Sequence, residues 1–152
     1  MDLLSLLDER RGAIVDDALA AMRRAHLRHY EAAGEETLRA RLAALFDVVH
    51  AAVRTRRLEP VLTHADEVAR ARHQGGFDLG EVQTAFNVLE EALWRHVTEA
   101  LAPAQLGEAL GLVATAVGAG KDRLARTYVA LATREHVPAV DVAALFRGTE
   151  GV

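Results

Sequence analysis

Residues 77–97, FDLGEVQTAFNVLEEALWRHV, hold the clearest structural signal in the chain. Asp78 stands where a helix N-cap is expected, and Glu81 follows three residues later, which is the spacing of a capping box. Apolar residues then recur every three or four positions, which is typical of an amphipathic helix. They are Val82, Phe86, Leu89, Leu93 and Val97. The stretch therefore predicts a capped helix that continues to about Leu101.

The rest of the chain shows the same helical spacing of leucine and alanine, with no alternating strand pattern. The other four predicted segments cover residues 2–33, 35–56, 60–75 and 103–135, with breaks near Gly34, Arg57, Gly75 and Pro103. Gly12 is a point where the first segment can divide, since glycine inside a helix costs about 1 kcal/mol relative to alanine. We therefore predict an all-α bundle of five to six helices over residues 1–136, followed by a C-terminal tail over residues 137–152.

Composition excludes several classes of protein. The 152 residues are 51% hydrophobic and carry a net charge of −4, so no basic field favours nucleic acid. No apolar run approaches the roughly 20 residues of a membrane span. The chain has no cysteine, which removes disulfides and thiolate chemistry and suits a reducing compartment. We expect a cytoplasmic protein that binds neither nucleic acid nor membranes.

Catalytic and metal-binding patterns are also missing from the sequence. The single serine, Ser5, lies near the N-terminus, and no glutamate stands three residues before a histidine, as a di-iron bundle requires. There is no glycine-rich phosphate loop. The sequence predicts a protein that is not an enzyme and that holds no metal.

Two side chains are candidates for a ligand pocket. Arg72 projects at the same helical angle as Val61 and Ala65, so its guanidinium must reach solvent, pair with an acid or hold an anionic ligand. The ion pair with an acid is the simplest of these interpretations. His96 lies at the edge of the apolar face of the fourth segment, where a partly buried, hydrogen-bonded histidine is the simplest expectation.

Residues 69–82, ARARHQGGFDLGEV, followed by Leu89 and Leu93-Trp94, resemble the N-terminal sensor domains of RsbR-type stressosome proteins and of some bacterial histidine kinases. The resemblance covers most of the chain up to about Glu135. It implies a globin-like helical fold without haem, dimer formation and a role in signal transduction during the stress response.

Three functions remain open at this point. The leading hypothesis is a non-catalytic sensor domain that acts by binding a ligand or a signalling partner within a dimer. The first alternative is a haem-binding globin, a gas sensor or carrier, with His73 as the proximal ligand. His73 points about 80° away from the apolar face, and aromatic residues make up only 5% of the chain, so we expect no cofactor. The second alternative is an interaction module without a ligand.

The predicted homodimer rests on the fourth and fifth segments. Trp94 lies about 110° from the centre of its helix's apolar stripe, so it cannot serve the same core. The long fifth segment extends its apolar series through Leu124, Tyr128 and Leu131. These four residues are the interface candidates. The alternative is that Trp94 packs beneath the tail around Leu145 and Phe146.

Overall fold

The computed structural model describes residues 1–136, which form six helices and no strand. The helices are α1 (Leu3–Ala25), α2 (Arg28–Ala33), α3 (Glu35–Thr55), α4 (Glu59–Gln74), α5 (Leu79–Ala100) and α6 (Pro103–His136). The all-α prediction is confirmed. The tail predicted over residues 137–152, including Leu145 and Phe146, lies outside the described residues.

Most helix breaks fall where the sequence predicts them, but the first one does not. α1 runs through Gly12 without interruption, because buried side chains on both sides, such as Leu7 and Ile14, hold both halves against the core. The break comes instead at His26, which adopts the left-handed conformation (φ 51°) and bonds its N–H to the Arg23 carbonyl. Burial outweighs the small propensity cost of Gly12.

The helices pack around one apolar core. α1 lies against α5 and α3, α4 lies along α6, and α5 also contacts α6. The largest side chains at the centre are Phe46 and Phe86, both almost completely buried. None of the described helices combines the length and apolarity that a membrane crossing demands.

α6 packs tightly against α4 and α5 at Gly120. A Cβ atom added there would lie 2.7 Å from Val61 Cγ1 of α4 and 2.9 Å from Phe86 Cε1 of α5. The other α6 glycines, such as Gly111 and Gly118, face open space. Close packing therefore explains one glycine of α6 and leaves the others without a packing role in the single chain.

The capping box predicted at the start of α5 is not formed. Asp78 is the N-cap residue by its backbone, but its side chain makes no capping hydrogen bond. The Glu81 carboxylate instead accepts hydrogen bonds from His29 Nδ1 at 2.8 Å and from the His29 backbone N–H at 3.3 Å. His29 is the second residue of α2, whose own N-cap, Leu27, offers no side-chain acceptor. Glu81 therefore caps α2, because a second helix competes for its carboxylate.

Candidate functional site: an arginine and aromatic cluster

Several elements meet around the ring of Phe77, in the turn between α4 and α5. The ring lies 5.2 Å from Tyr30 of α2, edge to face, measured between ring centroids. The Phe77 N–H bonds to the carbonyl of Arg72, and its carbonyl accepts a bond from the Tyr128 hydroxyl of α6 at 3.1 Å. We call Tyr30, Arg41, Arg72, Phe77 and Tyr128 the Phe77 cluster.

Two guanidinium groups flank the Phe77 ring. The guanidinium carbons of Arg41, from α3, and Arg72, from α4, each lie 5.7 Å from the ring centroid. Arg41 also lies 5.9 Å from the centre of the Tyr30 ring. Cation–π contacts of this kind are attractive, and they fix the planes of the guanidinium groups.

Both arginines carry a buried donor that has no acceptor. These atoms are Nη1 of Arg41 and Nε of Arg72. Over the part of the chain that the structure describes, neither side chain forms an ion pair with a carboxylate. No acid among the described residues pairs with Arg72, and the predicted ion pair stays a prediction.

The Phe77 cluster contains two arginines and no acidic residue. Burial lowers the pKa of Arg41, and the positive charge of Arg72 lowers it further. Burial also raises the pKa of Tyr30, although Arg72 and Arg41 oppose that shift. The pKa of Tyr128 rises to about 12, mainly through burial. Both tyrosines are thus neutral at pH 7, whereas arginine keeps its proton, so the cluster is cationic.

Glu81 is the acid beside this cluster, but its carboxylate is already engaged. Its side chain is only 15% exposed, and both of its oxygens face His29. The ring of His29 in turn packs on Phe77, with 4.7 Å between centroids. The His29–Glu81 pair therefore borders the cluster without supplying an acceptor for Arg41 Nη1 or Arg72 Nε.

His96, the second ligand-pocket candidate, lies elsewhere. The residue is 8% exposed, its Nε2 is 2.8 Å from Asp17 Oδ2, and its Nδ1 is 3.4 Å from Arg10 Nη1. These contacts tie α5 to α1. Since His96 stands about 20 Å along α5 from its first turn, the structure does not bring it together with Arg72. His96 is a buried, hydrogen-bonded histidine.

His73 lies at the rim of the cluster. Its ring meets Tyr128 edge to face, with 5.6 Å between centroids, and the residue is partly exposed. Within the described residues no three histidines or acids converge as a metal site would need.

The interface candidates divide into two groups. Trp94 is 52% exposed, and Leu131 is partly buried. Leu124 and Tyr128 are 0% and 7% exposed, so their side chains belong to the core of the single chain and are not available to a partner. The apolar series of α6 faces its own chain there because α4 packs along it.

Trp94 and Leu131 do not form one patch on a single chain. α5 and α6 run antiparallel, and the contact between Gly120 and Phe86 sets their register. Trp94 then lies level with α6 residues near position 112, which leaves Leu131 about 28 Å further along α6. Trp94 is therefore an exposed aromatic side chain on a part of the surface that does not include Leu131.

The sequence interpretation missed Arg41. It lies one position before Leu42 in the α3 stripe, at the edge of the apolar face, and its side chain is partly buried. Arg72 was singled out because it lies within an apolar stripe, whereas Arg41 gives the weaker signal of a cation at the margin of one. Its meeting with Arg72 depends on the packing of α3 and α4, which the sequence pattern does not contain.

The fold and the cluster define the class of this protein: an all-α helical domain with a cationic, aromatic cluster between its helices. Residues 12–147 match the family model of the RsbT co-antagonist protein rsbRD N-terminal domain, and the chain belongs to that family. The resemblance to RsbR-type stressosome N-terminal domains is thus confirmed, and the chain is an RsbR-like signalling domain. No curated protein and no solved structure matches it.

Proposed function

We propose that this chain is a non-catalytic sensory domain of globin-like type, and that it works in the cytoplasm as a homodimer. A bound ligand or partner protein would favour one packing of its helices over another, which is how binding energy becomes a signal. Membership of the RsbRD N-terminal family supports the signalling role. The absence of cysteine is consistent with a reducing compartment.

The observation that carries the dimer is the exposure of Trp94. The core-facing side of α5 is fully buried, with Phe86, Leu89 and Leu93 at 2% exposure or less. Trp94 faces away from it and leaves 52% of its surface accessible. Tryptophan is enriched at the centres of protein interfaces, and a two-fold axis through this face would bury two copies at once.

Polar residues surround Trp94 on the same helix. Asn87, Glu91 and Thr98 are exposed on the turns before and after it. An aromatic centre inside a polar rim is the common composition of interfaces between proteins that also fold alone. The proposal therefore places Trp94 at the centre of the contact and these residues at its edge.

Light scattering after gel filtration at micromolar concentration tests the dimer. We expect a mass near twice 16.5 kDa for the unmodified chain and a mass near 16.5 kDa for Trp94→Glu. A buried glutamate pair at the axis would cost far more than the contact returns. Val129→Glu is the matched control, because Val129 is 61% exposed on α6 and lies far from Trp94. A monomeric unmodified chain, or a dimer insensitive to Trp94→Glu, would refute the proposal.

A further inference from the structure

We propose that the Phe77 cluster binds a small oxyanion, a carboxylate or a phosphate, through the guanidinium groups of Arg41 and Arg72. The proposal gives the sensory domain a class of ligand, and its role in signalling rests on the proposed function. The binding itself does not depend on that function, because it follows from the donors, charges and rings of the cluster.

The first argument is the pair of unmet donors. Buried polar atoms without a partner are rare in folded proteins, because such a group has lost its water and gained nothing in return. Three described side-chain nitrogens are in this state, and two of them are Arg41 Nη1 and Arg72 Nε. Two such atoms on cations that face one ring indicate a site that is completed by a further molecule.

The second argument is charge. Arg41 and Arg72 repel one another, and no carboxylate contributes to the pKa of Arg41. The tyrosine hydroxyls remain neutral, and Glu81 is held by His29. Although the net charge of the chain is −4, no carboxylate of the described residues forms an ion pair with either of these adjacent, partly buried cations. One oxyanion would remove the repulsion and accept hydrogen bonds from both groups.

The third argument is geometry. The ring of Phe77 holds both guanidinium groups at 5.7 Å, so little side-chain freedom remains to be lost on binding. A planar guanidinium donates two parallel bonds to the oxygens of a carboxylate or phosphate, which a spherical chloride cannot accept in the same way. The cluster is therefore expected to prefer oxyanions over chloride.

The position of the site suits a sensor. Phe77 stands at the turn that leads into α5, and α5 also carries Trp94, about 25 Å away along the helix axis. A ligand that repositions the Phe77 turn acts on the first turn of the helix that the proposed dimer uses. A rigid helix can carry such a displacement to its other end.

Nuclear magnetic resonance of the arginine side chains tests the inference directly. The probes are inorganic phosphate, acetate and malonate, each added at constant ionic strength against sodium chloride. We expect the Nε–Hε cross-peaks of Arg41 and Arg72, identified by their loss in Arg41→Gln and Arg72→Gln, to shift and saturate with at least one oxyanion. Each substitution should weaken binding at least about tenfold, since it removes a charge-assisted hydrogen bond.

Arg70→Gln is the matched control, because Arg70 is an exposed arginine of the same helix. Arg72→Lys keeps the charge and tests the planar fork, and far-ultraviolet circular dichroism checks that every variant is folded. Saturation by phosphate alone or by carboxylates alone would identify which oxyanion the site takes. Failure of all three probes to saturate, or equal weakening by Arg70→Gln, would overturn the inference and assign the unmet donors to water. Light scattering then reports on the dimer independently.

Discussion

At the scale of single residues, Glu81 shows that a contact with a distant residue can replace the hydrogen bond that the local sequence predicts. The sequence from Asp78 to Glu81 has the spacing of a capping box, yet Glu81 bonds to His29, which is 52 positions away. The first turn of α2 has no side-chain cap of its own, and Leu27 cannot supply one. A carboxylate gains more by accepting from a partly buried histidine and a free backbone N–H than from its own exposed helix start.

This assignment predicts unequal costs for two neighbouring substitutions. Glu81→Ala should lower the free energy of unfolding by about 1–2 kcal/mol, because it uncaps α2 and strands His29. Asp78→Ala should cost about 0.5 kcal/mol, through the lost charge at the start of α5 alone. Both changes remove one negative charge from the same turn, so urea unfolding of the two variants isolates the contact with His29. If Asp78→Ala lowers the free energy of unfolding more than Glu81→Ala does, the capping box is formed after all.

At the scale of helices, α4 and α6 are joined by Asp66. Its carboxylate accepts two bonds from Arg123, at 2.9 and 3.0 Å, and a third from the Thr127 hydroxyl at 2.6 Å. Its side chain is only 17% exposed. A bidentate ion pair with an arginine requires a more specific geometry than an ordinary surface ion pair. This contact therefore fixes the register of the two helices.

The pH dependence of stability reports on this contact. The hydrogen bond from Arg123, followed by that from Thr127, holds the pKa of Asp66 below its ordinary value of 3.8. A lowered pKa in the folded state stabilises the protein above pH 3.8, and this contribution is lost as the pH falls through the folded value. In Asp66→Asn we expect a lower melting temperature at neutral pH and a flatter acid limb. An unchanged acid limb would show that Asp66 is ionised equally in both states.

At the scale of the whole molecule, α4 and α5 both pack closely against α6 at Gly120. Val61 of α4 and Phe86 of α5 leave no room for a side chain there, and both are almost fully buried. The packing of α4 and α5 against α6 therefore depends on the absence of a side chain at Gly120. The same contact fixes how α5 lies along α6. Trp94 lies towards one end of α5, and the Phe77 cluster lies at the other end.

Two glycine substitutions test this dependence. Gly120→Ala should destabilise the fold by about 1–2 kcal/mol, because overpacking exceeds the gain in helix propensity. Gly118→Ala is the matched control on the same helix and should stabilise the fold by about 0.5–1 kcal/mol, since nothing lies within 4 Å of the added atom. Thermal unfolding of the two variants should therefore move in opposite directions. A stabilising Gly120→Ala would show that α4 and α5 can yield at this point.

The sequence by itself determined the helices and the family. The spacing of apolar residues and the breaks between helices depend on local backbone preferences. Four of the five breaks, near Gly34, Arg57, Gly75 and Pro103, could therefore be predicted. The missed break at His26 has no glycine or proline to mark it. The residues around Phe77 carried the family resemblance because they are contiguous.

Only the tertiary structure decided which side chains meet. Arg41 and Arg72 are 31 positions apart, and periodicity places each on its own helix but says nothing about the other. Leu124 and Tyr128 fit an exposed stripe on α6 until α4 is packed along it and buries them. Helix formation is governed by neighbours along the chain, whereas a binding site is made by contacts between helices. The sequence could therefore predict an all-α bundle of five to six helices, whereas the cationic cluster within it depends on contacts that only the packed structure shows.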